Sequence, residues 1–367
     1  MRRSKPQELL REIYCDQCIS PQKSPLIKKM SRTILMGDPL YFSVKGGANP
    51  HTRNLLGLKK TVDADRARAQ WHAMAKALID HGVEVLIVEP HERLPGLVYP
   101  ANAGFLFPPD GVPADRKTFY LANLLPTRAP EREVYRIFIQ SIGFVTRDVQ
   151  ARFEGEADFI PASDYLLFTH GRIERQRFVP RFGLPPWKRV YGFRSDMHAL
   201  AELSAIASGR TILSLELCLE AHYHGDTVLC SFGRQREFLL AYLQGLAPAS
   251  RENLQKAFGA SLIPLSDADA GLYAANSFQV DRNGELFFFM PRGVSEALCR
   301  QIRERGVEPV LIDVSEFLAK GGGSIKCMIL DLGPSRELPS SLGAASFRAD
   351  RSYQNLFQKS PETVCRS

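Results

Sequence analysis

The chain repeats a unit in which a helix ends near a glycine and a short apolar strand follows. Apolar residues spaced as on a helix run from Asp65 to Asp80, and Gly82 then precedes the strand-like run Val83–Val88. Two further copies have the same order: Glu131–Gln140 then Ser141–Thr146, and Val294–Glu304 then Val307–Asp313. Such a unit cannot bury its apolar face alone, so its copies must pack against one another. The repeats predict a pseudo-symmetric α/β architecture, of which a propeller is the simplest closed form.

A second repeat concerns asparagines that stand just before predicted strands. Tyr99-Pro-Ala-Asn102 and Tyr273-Ala-Ala-Asn276 each place an asparagine ahead of an apolar run. Equivalent positions of a ring of modules face the same central channel. We therefore expect both asparagines to lie there.

The two ends of the chain lack the repeated pattern. Residues 1–30 show no sustained apolar period, and residues 334–367 are rich in turn-forming residues. We predict a flexible N-terminal extension at 1–30, a folded catalytic domain at 31–333 and a flexible C-terminal extension at 334–367.

The formal net charge of +7 lies mostly in these extensions. Residues 1–30 carry seven Lys or Arg against three Asp or Glu, and residues 334–367 carry five against three, which leaves about +1 for the remainder. A nucleic-acid-binding core normally concentrates its basic residues on one face, so the distribution argues against a nucleic-acid partner.

No stretch approaches 18 consecutive apolar residues, and no apolar signal region follows Met1. We expect a cytoplasmic protein without a membrane partner.

The seven cysteines of this large chain are expected to be reduced thiols. Cys15 and Cys18 form a lone C-x-x-C pair with no second pair nearby, whereas a structural zinc needs four ligands. We expect neither a metal nor a cofactor.

Four segments place polar or reactive groups among apolar residues. They are Val98–Gly104 with Asn102, Phe153–Phe159 with Glu154 and Asp158, His222–Cys230 with His224 and Asp226, and Gly321–Leu330 with Cys327. Each segment alone has an ordinary structural explanation, such as a core His-x-Asp pair, a turn or a buried thiol.

In this order the segments resemble the guanidino-group-modifying superfamily of the five-bladed α/β propeller, or pentein, fold. That superfamily includes arginine deiminases, dimethylarginine dimethylaminohydrolases and amidinotransferases, and the pattern is most similar to the arginine dihydrolase branch. The matching motifs, between about Arg32 and Leu332, are Asp38–Phe42 with Asn49-Pro50, the Asn102 segment, Glu154-Gly-Glu-Ala-Asp158, Gly192-Phe-Arg194-Ser-Asp196, His224-Gly-Asp226, Ala275-Asn276 and the glycine run into Cys327.

The resemblance implies that Cys327 is the nucleophile, that His224 is the general acid and base, and that Glu154 is the catalytic carboxylate. These residue types suit the chemistry. A guanidinium is a permanent cation and a poor electrophile, so attack on its central carbon needs an ionised thiol and carboxylates that hold the cation.

The resemblance further implies a set of substrate-binding residues: Asn102, Asp158, Asp226, Arg194, Asn49 and Asn276. Two alternatives stay open, Glu156 for the catalytic acid and His222 for the histidine. If the His222 segment is a strand, His222, His224 and Asp226 share one face. Gly225 stands where many relatives carry Leu, and we expect it to loosen that strand.

The function implied is a hydrolase of the guanidino group of arginine or a close derivative, acting through a covalent cysteine intermediate. It would release ammonia with ornithine or citrulline. Asn102 stands where arginine deiminases carry Asp, so the product is not carried over from them. An amidinotransferase, a methylarginine hydrolase and a catalytically silent binding protein remain alternatives. A homo-oligomer is compatible with the sequence, which does not determine the oligomeric state.

Overall fold

The computed structural model describes residues 32–45, 49–54, 57–175, 177–181, 184–207 and 209–335. The predicted N-terminal extension, and the C-terminal one from residue 336 onward, lie outside these ranges. The domain boundaries therefore stay a prediction, and so does the role of Cys15 and Cys18.

The described strands form five three-stranded sheets of one design, and we term each sheet with its helix a module. In each sheet the first strand pairs antiparallel with the second, a helix follows, and the third strand pairs parallel with the second. Module 1 contains β1 (Arg32–Gly37), α1 (Ala64–Asp80) and β2 (Val83–Val88); module 2 contains β3 (Gly104–Phe107), β4 (Thr118–Leu121), α2 (Glu131–Ser141) and β5 (Val145–Asp148).

The third module contains an additional hairpin. Its elements are β6 (Phe159–Ala162), β7 (Tyr165–His170), the hairpin β8 (Arg177–Arg181) and β9 (Leu184–Val190), α3 (Ala199–Ile206) and β10 (Thr211–Glu216). Module 4 contains β11 (Leu229–Phe232), β12 (Phe238–Ala241), α4 (Pro248–Phe258) and β13 (Leu262–Pro264), followed by α5 (Asp267–Gly271). Module 5 contains β14 (Phe278–Arg282), β15 (Glu285–Pro291), α6 (Glu296–Arg303) and β16 (Val307–Ile312).

The end of the described chain returns to its beginning. After α7 (Ser315–Gly321), strand β17 (Leu330–Pro334) pairs antiparallel with β1 and so supplies the missing strand of module 1. The side chain of Arg32 binds the Asp331 carboxylate, with 2.7 Å from Nε to Oδ1. The two ends of the repeated region are therefore held in one sheet.

The repeated units predicted from the sequence are confirmed, with one error in position. Helix α1 is capped by the Asp63 side chain, which accepts a hydrogen bond from the Arg66 N–H. The predicted strand Ser141–Thr146 is placed too early, because α2 continues to Ser141 and the chain turns at Gly143, where φ is 97°. Strand β5 begins only at Val145.

Apolar clusters join each module to its neighbours. Side chains of modules 1 and 2 pack together, as do those of modules 2 and 3 and those of modules 3, 4 and 5. Phe289 of module 5 lies in one cluster with Ile34 and Trp71 of module 1. The modules therefore pack in sequence, and the fifth also packs on the first.

In the ranges described, no helix has the length and apolar character needed to cross a membrane.

A short 3-10 turn stands before the first strand of several modules. These turns are Pro100–Asn102 before β3, Gly155–Ala157 before β6, Gly225–Thr227 before β11 and Lys326–Met328 before β17. Asn276 has the same place before β14. The expectation that the His222–Asp226 segment is a strand is wrong, because the backbone turns directly after His224. The turns contact one another and so gather their side chains at one place.

Candidate active site

Six side chains from these turns form a buried group that we term the polar cluster. Its members are Asn102, Glu154, His224, Asp226, Asn276 and Cys327. Each exposes 3% or less of its surface. Burying so many ionisable and polar groups is costly, and such concentrations are typical of functional sites.

The thiol of Cys327 lies between an aspartate and an asparagine. Its Sγ donates a hydrogen bond to Oδ2 of Asp226 at 3.3 Å, and Nδ2 of Asn276 approaches the same sulfur at 3.1 Å. Oδ1 of Asn276 accepts from the Cys327 N–H at 3.0 Å, so this asparagine fixes both the backbone and the side chain. Burial and the Asp226 charge raise the pKa of the Cys327 thiol well above its ordinary value. This raised pKa favours the protonated thiol.

The Asp226 carboxylate has one oxygen that is already used and one that is not. Oδ2 accepts from Cys327, whereas Oδ1 is buried and has no hydrogen-bond partner among the described residues. Burial raises the pKa of Asp226 to about 6, and the nearby His224 and Lys326 charges offset this only in part. A buried acceptor without a donor, beside a thiol, is suited to a cationic ligand.

His224 forms the second half of the cluster together with Glu154. Its Nε2 lies 2.8 Å from Oε2 of Glu154. Burial by itself would raise the pKa of Glu154, but the hydrogen bond and charge of His224 hold it down to about 2. Burial lowers the pKa of His224, but the charges of Asp158 and Glu154 outweigh it and raise the pKa overall. The pair is thus arranged as an imidazolium and a carboxylate, and the imidazolium can donate a proton.

Asn102 is oriented by an arginine that sequence reasoning missed. Nη1 of Arg128 donates to Oδ1 of Asn102 at 2.8 Å, which directs the amide nitrogen toward Nε2 of His224, 3.4 Å away. The same guanidinium binds Glu131, with 2.7 Å from Nη2 to Oε2. Arg128 lies in a loop before α2, where no periodicity or motif distinguishes it.

Asp158 is buried beside the cluster, but its oxygens are occupied. Oδ1 accepts from Oγ1 of Thr169 at 2.7 Å and from the Gly225 N–H at 2.8 Å, and Oδ2 accepts from Oγ of Ser195 at 2.6 Å. Asp158 therefore supports the segment that carries His224. Its predicted contact with substrate stays untested.

Gly225 serves close packing rather than flexibility. A Cβ atom at this position would lie 2.2 Å from Oγ1 of Thr169. The expectation that Gly225 loosens the segment is wrong, because the glycine lets the His224 turn rest directly on β7.

Arg194 and Asn49 meet at Tyr223, next to the polar cluster. The Arg194 guanidinium lies 4.6 Å from the centre of the Tyr223 ring, a cation–π distance. Nδ2 of Asn49 donates to the Gly321 carbonyl at 2.8 Å, and the Tyr223 hydroxyl donates to the Gly322 carbonyl at 2.7 Å. Oδ1 of Asn49 is buried and has no partner in the described ranges. These contacts hold the approach to Cys327 and leave a second open acceptor.

Comparison with known proteins gives a consistent result. Residues 193–333 match the family model of eukaryotic N,N-dimethylarginine dimethylhydrolase. An N(G),N(G)-dimethylarginine dimethylaminohydrolase of Mycobacterium tuberculosis is 29% identical over 307 residues, which are 83% of this chain and 87% of that protein.

Solved structures of two guanidino-modifying enzymes share the fold of this chain. The N-terminal domain of an arginine dihydrolase from the ornithine-ammonia cycle in cyanobacteria, as a cysteine-to-serine variant bound to substrate, has a TM-score of 0.68 at 22% identity and covers 82% of this chain and 98% of its own. A dimethylarginine dimethylaminohydrolase adduct with S-methyl-L-thiocitrulline has a TM-score of 0.60 at 19% identity, with coverage of 83% and 100%. The chain spans only 40% of a longer chain of the cyanobacterial arginine dihydrolase.

These matches support the pentein-fold guanidino-group-modifying superfamily. They are consistent with the arginine dihydrolase branch that the motif order indicated. The superfamily resemblance drawn from the sequence is confirmed, and the mixed α/β content is confirmed with it.

The superfamily resemblance left Glu156 open as the acid, and the geometry favours Glu154. The Glu156 carboxylate lies 2.6 Å from Nζ of Lys326 and accepts from the Asp331 N–H at 3.1 Å. Both partners belong to the Cys327 turn and β17, whereas the His224 ring pairs with Glu154. Glu156 therefore anchors the turn that carries Cys327.

The resemblance also left His222 open, and the geometry favours His224. The His222 ring lies between the rings of Tyr242 and Tyr273, whose centres are 5.0 and 5.1 Å away. Burial lowers the pKa of His222 to about 4, which keeps this imidazole neutral near pH 7. His222 lies outside the polar cluster.

The superfamily's glycine run before the cysteine has a packing reason in this protein. Gly322 adopts φ +74°, and Cβ atoms at Gly321 and Gly323 would lie 1.9 and 2.4 Å from atoms of Tyr99. Tyr99 thus lies across the run and directs the chain into the Cys327 turn.

In the part of the chain that is described, no three His, Cys, Asp or Glu side chains are grouped to hold a metal ion.

Proposed function

We propose that this protein hydrolyses the guanidino group of arginine or a close derivative through a covalent amidino intermediate on Cys327. One observation carries the proposal. The Cys327 thiol donates to one oxygen of Asp226, while the other oxygen of that carboxylate is buried without a partner, and the His224–Glu154 pair lies in the same cluster. The named relatives act on methylated arginine or arginine, and one cyanobacterial neighbour was solved covalently bound to a reaction intermediate.

Substrate binding itself would activate the nucleophile. A guanidinium donating to Oδ1 of Asp226 brings a positive charge beside the sulfur and opposes the field that raises the Cys327 pKa. The thiol then loses its proton more readily, and the thiolate attacks. The substrate's own cation replaces the basic residue that other cysteine enzymes place beside the thiol.

The chemistry proceeds in two halves. Sγ of Cys327 bonds to the guanidino carbon, His224 protonates the leaving nitrogen, and the carbon–nitrogen bond breaks. The neutral imidazole then takes a proton from water, the water oxygen bonds to the carbon, and the sulfur leaves as thiolate. One round on arginine yields citrulline and ammonia. Hydrolysis of the resulting ureido group on the same site yields ornithine, ammonia and carbon dioxide.

The remaining predicted residues have supporting places in this scheme. We assign Arg194, whose guanidinium lies over the Tyr223 ring, to the α-carboxylate of an amino-acid substrate, and Asn49 offers an open oxygen to a donor. Asn276 orients the nucleophile, and Asp158 positions the His224 segment. Asn102 faces the histidine with its amide nitrogen, so it positions substrate or water and does not transfer a proton.

A methylarginine hydrolase is the second candidate, because the family model and the mycobacterial relative both belong to that activity. Purified protein should be incubated separately with arginine, N-methylated arginines, agmatine and citrulline, and the products identified by mass spectrometry. Ornithine without accumulated citrulline indicates a dihydrolase, and release of an alkylamine indicates the methylarginine activity. Amidino transfer to an added amine would indicate an amidinotransferase.

Labelling distinguishes an enzyme from a silent scaffold. We expect 2-chloroacetamidine, a guanidinium-like alkylating reagent, to modify Cys327 stoichiometrically and faster than Cys230, because its amidinium can pair with the open oxygen of Asp226 beside the Cys327 sulfur. Absence of turnover on every guanidino compound, together with no selective labelling of Cys327, would refute the proposal.

We also propose that the five modules close into a five-bladed propeller and that the catalytic domain occupies residues 31–333. Packing of module 5 on module 1 and the β1–β17 pairing support closure. Because β17 ends at Pro334 and Oγ of Ser335 lies 2.8 Å from Oγ1 of Thr33, the practical cut is after residue 335. A fragment 31–335 should be soluble and retain the turnover of the full chain.

Free thiols at Cys218, Cys230, Cys299 and Cys327 suit a reducing compartment such as the cytoplasm.

A further inference from the structure

A separate pocket lies beside the segment that leads into His224. Its volume is about 460 Å³, which falls within the range of roughly 300–1,000 Å³ that is usual for small-molecule sites. The residues that line it include none of the polar cluster. The pocket is therefore a second cavity and not the place of the guanidino chemistry.

One wall of the pocket belongs to the hairpin that interrupts module 3. Modules 2, 4 and 5 pass from the second strand to the helix without an intervening strand, whereas module 3 inserts β8 and β9 there. Arg189 near the end of β9 and Tyr191 directly after it line the pocket. The pocket thus depends on a part of this chain that its own internal repeat does not require.

The lining also contains a buried imidazole with a nitrogen that has no partner. His222 is 6% exposed, and its Nδ1 has no hydrogen-bond partner among the described residues. Its ring is held between Tyr242 and Tyr273, and a hydrogen bond with the Thr227 backbone offsets only part of the burial that lowers its pKa. The neutral ring therefore offers Nδ1 as an acceptor, and leaving a buried acceptor unpaired is unfavourable.

Charges of both signs lie around this imidazole. Arg189 is the cation of the lining, and Glu220 and Asp267 are its anions. Oε1 of Glu220 accepts from the backbone N–H groups of Tyr191 and Gly192, which fixes that carboxylate at the wall. Asp267 accepts from the Tyr242 hydroxyl at 3.0 Å, which fixes the second one. The rest of the lining is mainly apolar and aromatic, including Leu219.

We propose that this pocket binds a small α-amino acid with an apolar side chain. Its carboxylate would face Arg189, and its ammonium would face Glu220 and donate to Nδ1 of His222. Its side chain would lie against the tyrosine rings, where the lining is apolar. A zwitterion fits because each of its charged ends has an opposite charge to meet, while a guanidinium alone would leave Arg189 beside a like charge. The bound molecule would contact the residue two positions before His224 without entering the polar cluster.

The test is calorimetric titration of the full-length protein with L-leucine. We expect saturable binding, weakened at least tenfold by His222→Phe, which keeps a ring between the two tyrosines but removes the acceptor. Glu220→Gln, which keeps the oxygen that accepts from the Tyr191 and Gly192 N–H groups, should weaken binding as well and serves if His222→Phe does not fold. Glu304→Gln, on an exposed residue after α6, is the matched control and should bind as the native chain does.

A second control separates this site from the catalytic one. Asp226→Asn should leave L-leucine binding unchanged, whatever its effect on turnover. The proposal is overturned if L-leucine gives no saturable binding up to about 10 mM, a range in which affinity amounts to only a few kcal/mol. It is equally overturned if the His222 and Glu220 variants bind normally, or if binding is lost in Asp226→Asn and retained in both of them.

Discussion

Two buried aspartates of this protein, Asp158 and Asp226, stand in equivalent turns of neighbouring modules and serve different purposes. Asp158 accepts three hydrogen bonds from within the protein, whereas Asp226 accepts one, from the thiol, and keeps an open oxygen. A buried carboxylate whose oxygens are paired within the protein supports the fold, whereas a buried oxygen without a partner is available to a donor from a ligand. Burial alone does not distinguish the two, since both are at most 2% exposed.

The largest expected effect comes from removing the thiol on the Asp226 side. Cys327→Ala should abolish turnover, because no other described thiol lies in the polar cluster, while the melting temperature stays within a few degrees. Steady-state assays and thermal melts measure the two quantities. Cys218→Ala, at an exposed thiol, is the control and should remain active. Retained turnover in Cys327→Ala would exclude the covalent mechanism.

The next largest effect concerns His224, whose ring pairs with Glu154. His224→Ala should lower kcat by about 10²–10⁴-fold, the usual contribution of general acid–base catalysis. His222→Ala should retain kcat near the native value, since its ring packs against tyrosines outside the cluster. Both variants should be assayed on one substrate at several pH values. If His222→Ala is the inactive one, the assignment of the acid and base is wrong.

The aspartates themselves give the most direct comparison. Asp226→Asn should reduce kcat/KM by about 10²-fold through loss of charge at the guanidinium, with no loss of folding stability. Asp158→Asn should lower the free energy of unfolding by about 1–3 kcal/mol, because its amide group offers donors to Ser195, Thr169 or the Gly225 N–H. Urea unfolding and kinetics on both variants test this. Equal loss of stability in the two would remove the distinction.

The pH dependence of stability should have opposite signs on the two sides of the cluster. The pKa of Asp226 is raised to about 6 from 3.8, so its contribution to stability is present below pH 4 and is lost as pH rises to 6. The pKa of Glu154 is lowered to about 2 from 4.5, so its contribution is present above pH 4.5 and is lost as pH falls toward 2.

The measurement is urea unfolding at several pH values for the native chain, Asp226→Asn and Glu154→Gln. The native chain should lose stability relative to Asp226→Asn between pH 4 and 6, and relative to Glu154→Gln below pH 4.5. The same sign of change in both comparisons would show that the two carboxylates do not differ as described.

The sequence predicted the modules well and their connecting turns poorly. Helix α1 and strand β2 were predicted to within a residue, because an apolar period and a terminal glycine are local signals. The 3-10 turn after His224 was missed, since it depends on Gly225 resting on Thr169 of another strand. The order of site residues along the chain was sufficient to indicate the superfamily.

Contacts between modules account for the other omissions. Arg128 orients Asn102 from a loop without a pattern, and the place of Tyr99 on the glycine run follows only from packing. The internal partners of Asp158 come from Thr169 and Ser195, which are 11 and 37 residues away along the chain. The motifs therefore singled out both aspartates, but only the fold shows that Asp158 is paired internally and that Asp226 keeps an open oxygen.

The pairing of β17 with β1 also determines when this enzyme becomes complete during its synthesis. Arg32 and Asp331, which bind each other, are 299 residues apart, and the Cys327 turn directly precedes β17. A ribosome must therefore translate nearly the whole described region before the first sheet has its third strand. Cys327 and that strand are synthesised together, so a chain interrupted before residue 326 carries His224, Glu154 and Asp226 but has neither Cys327 nor a finished first module.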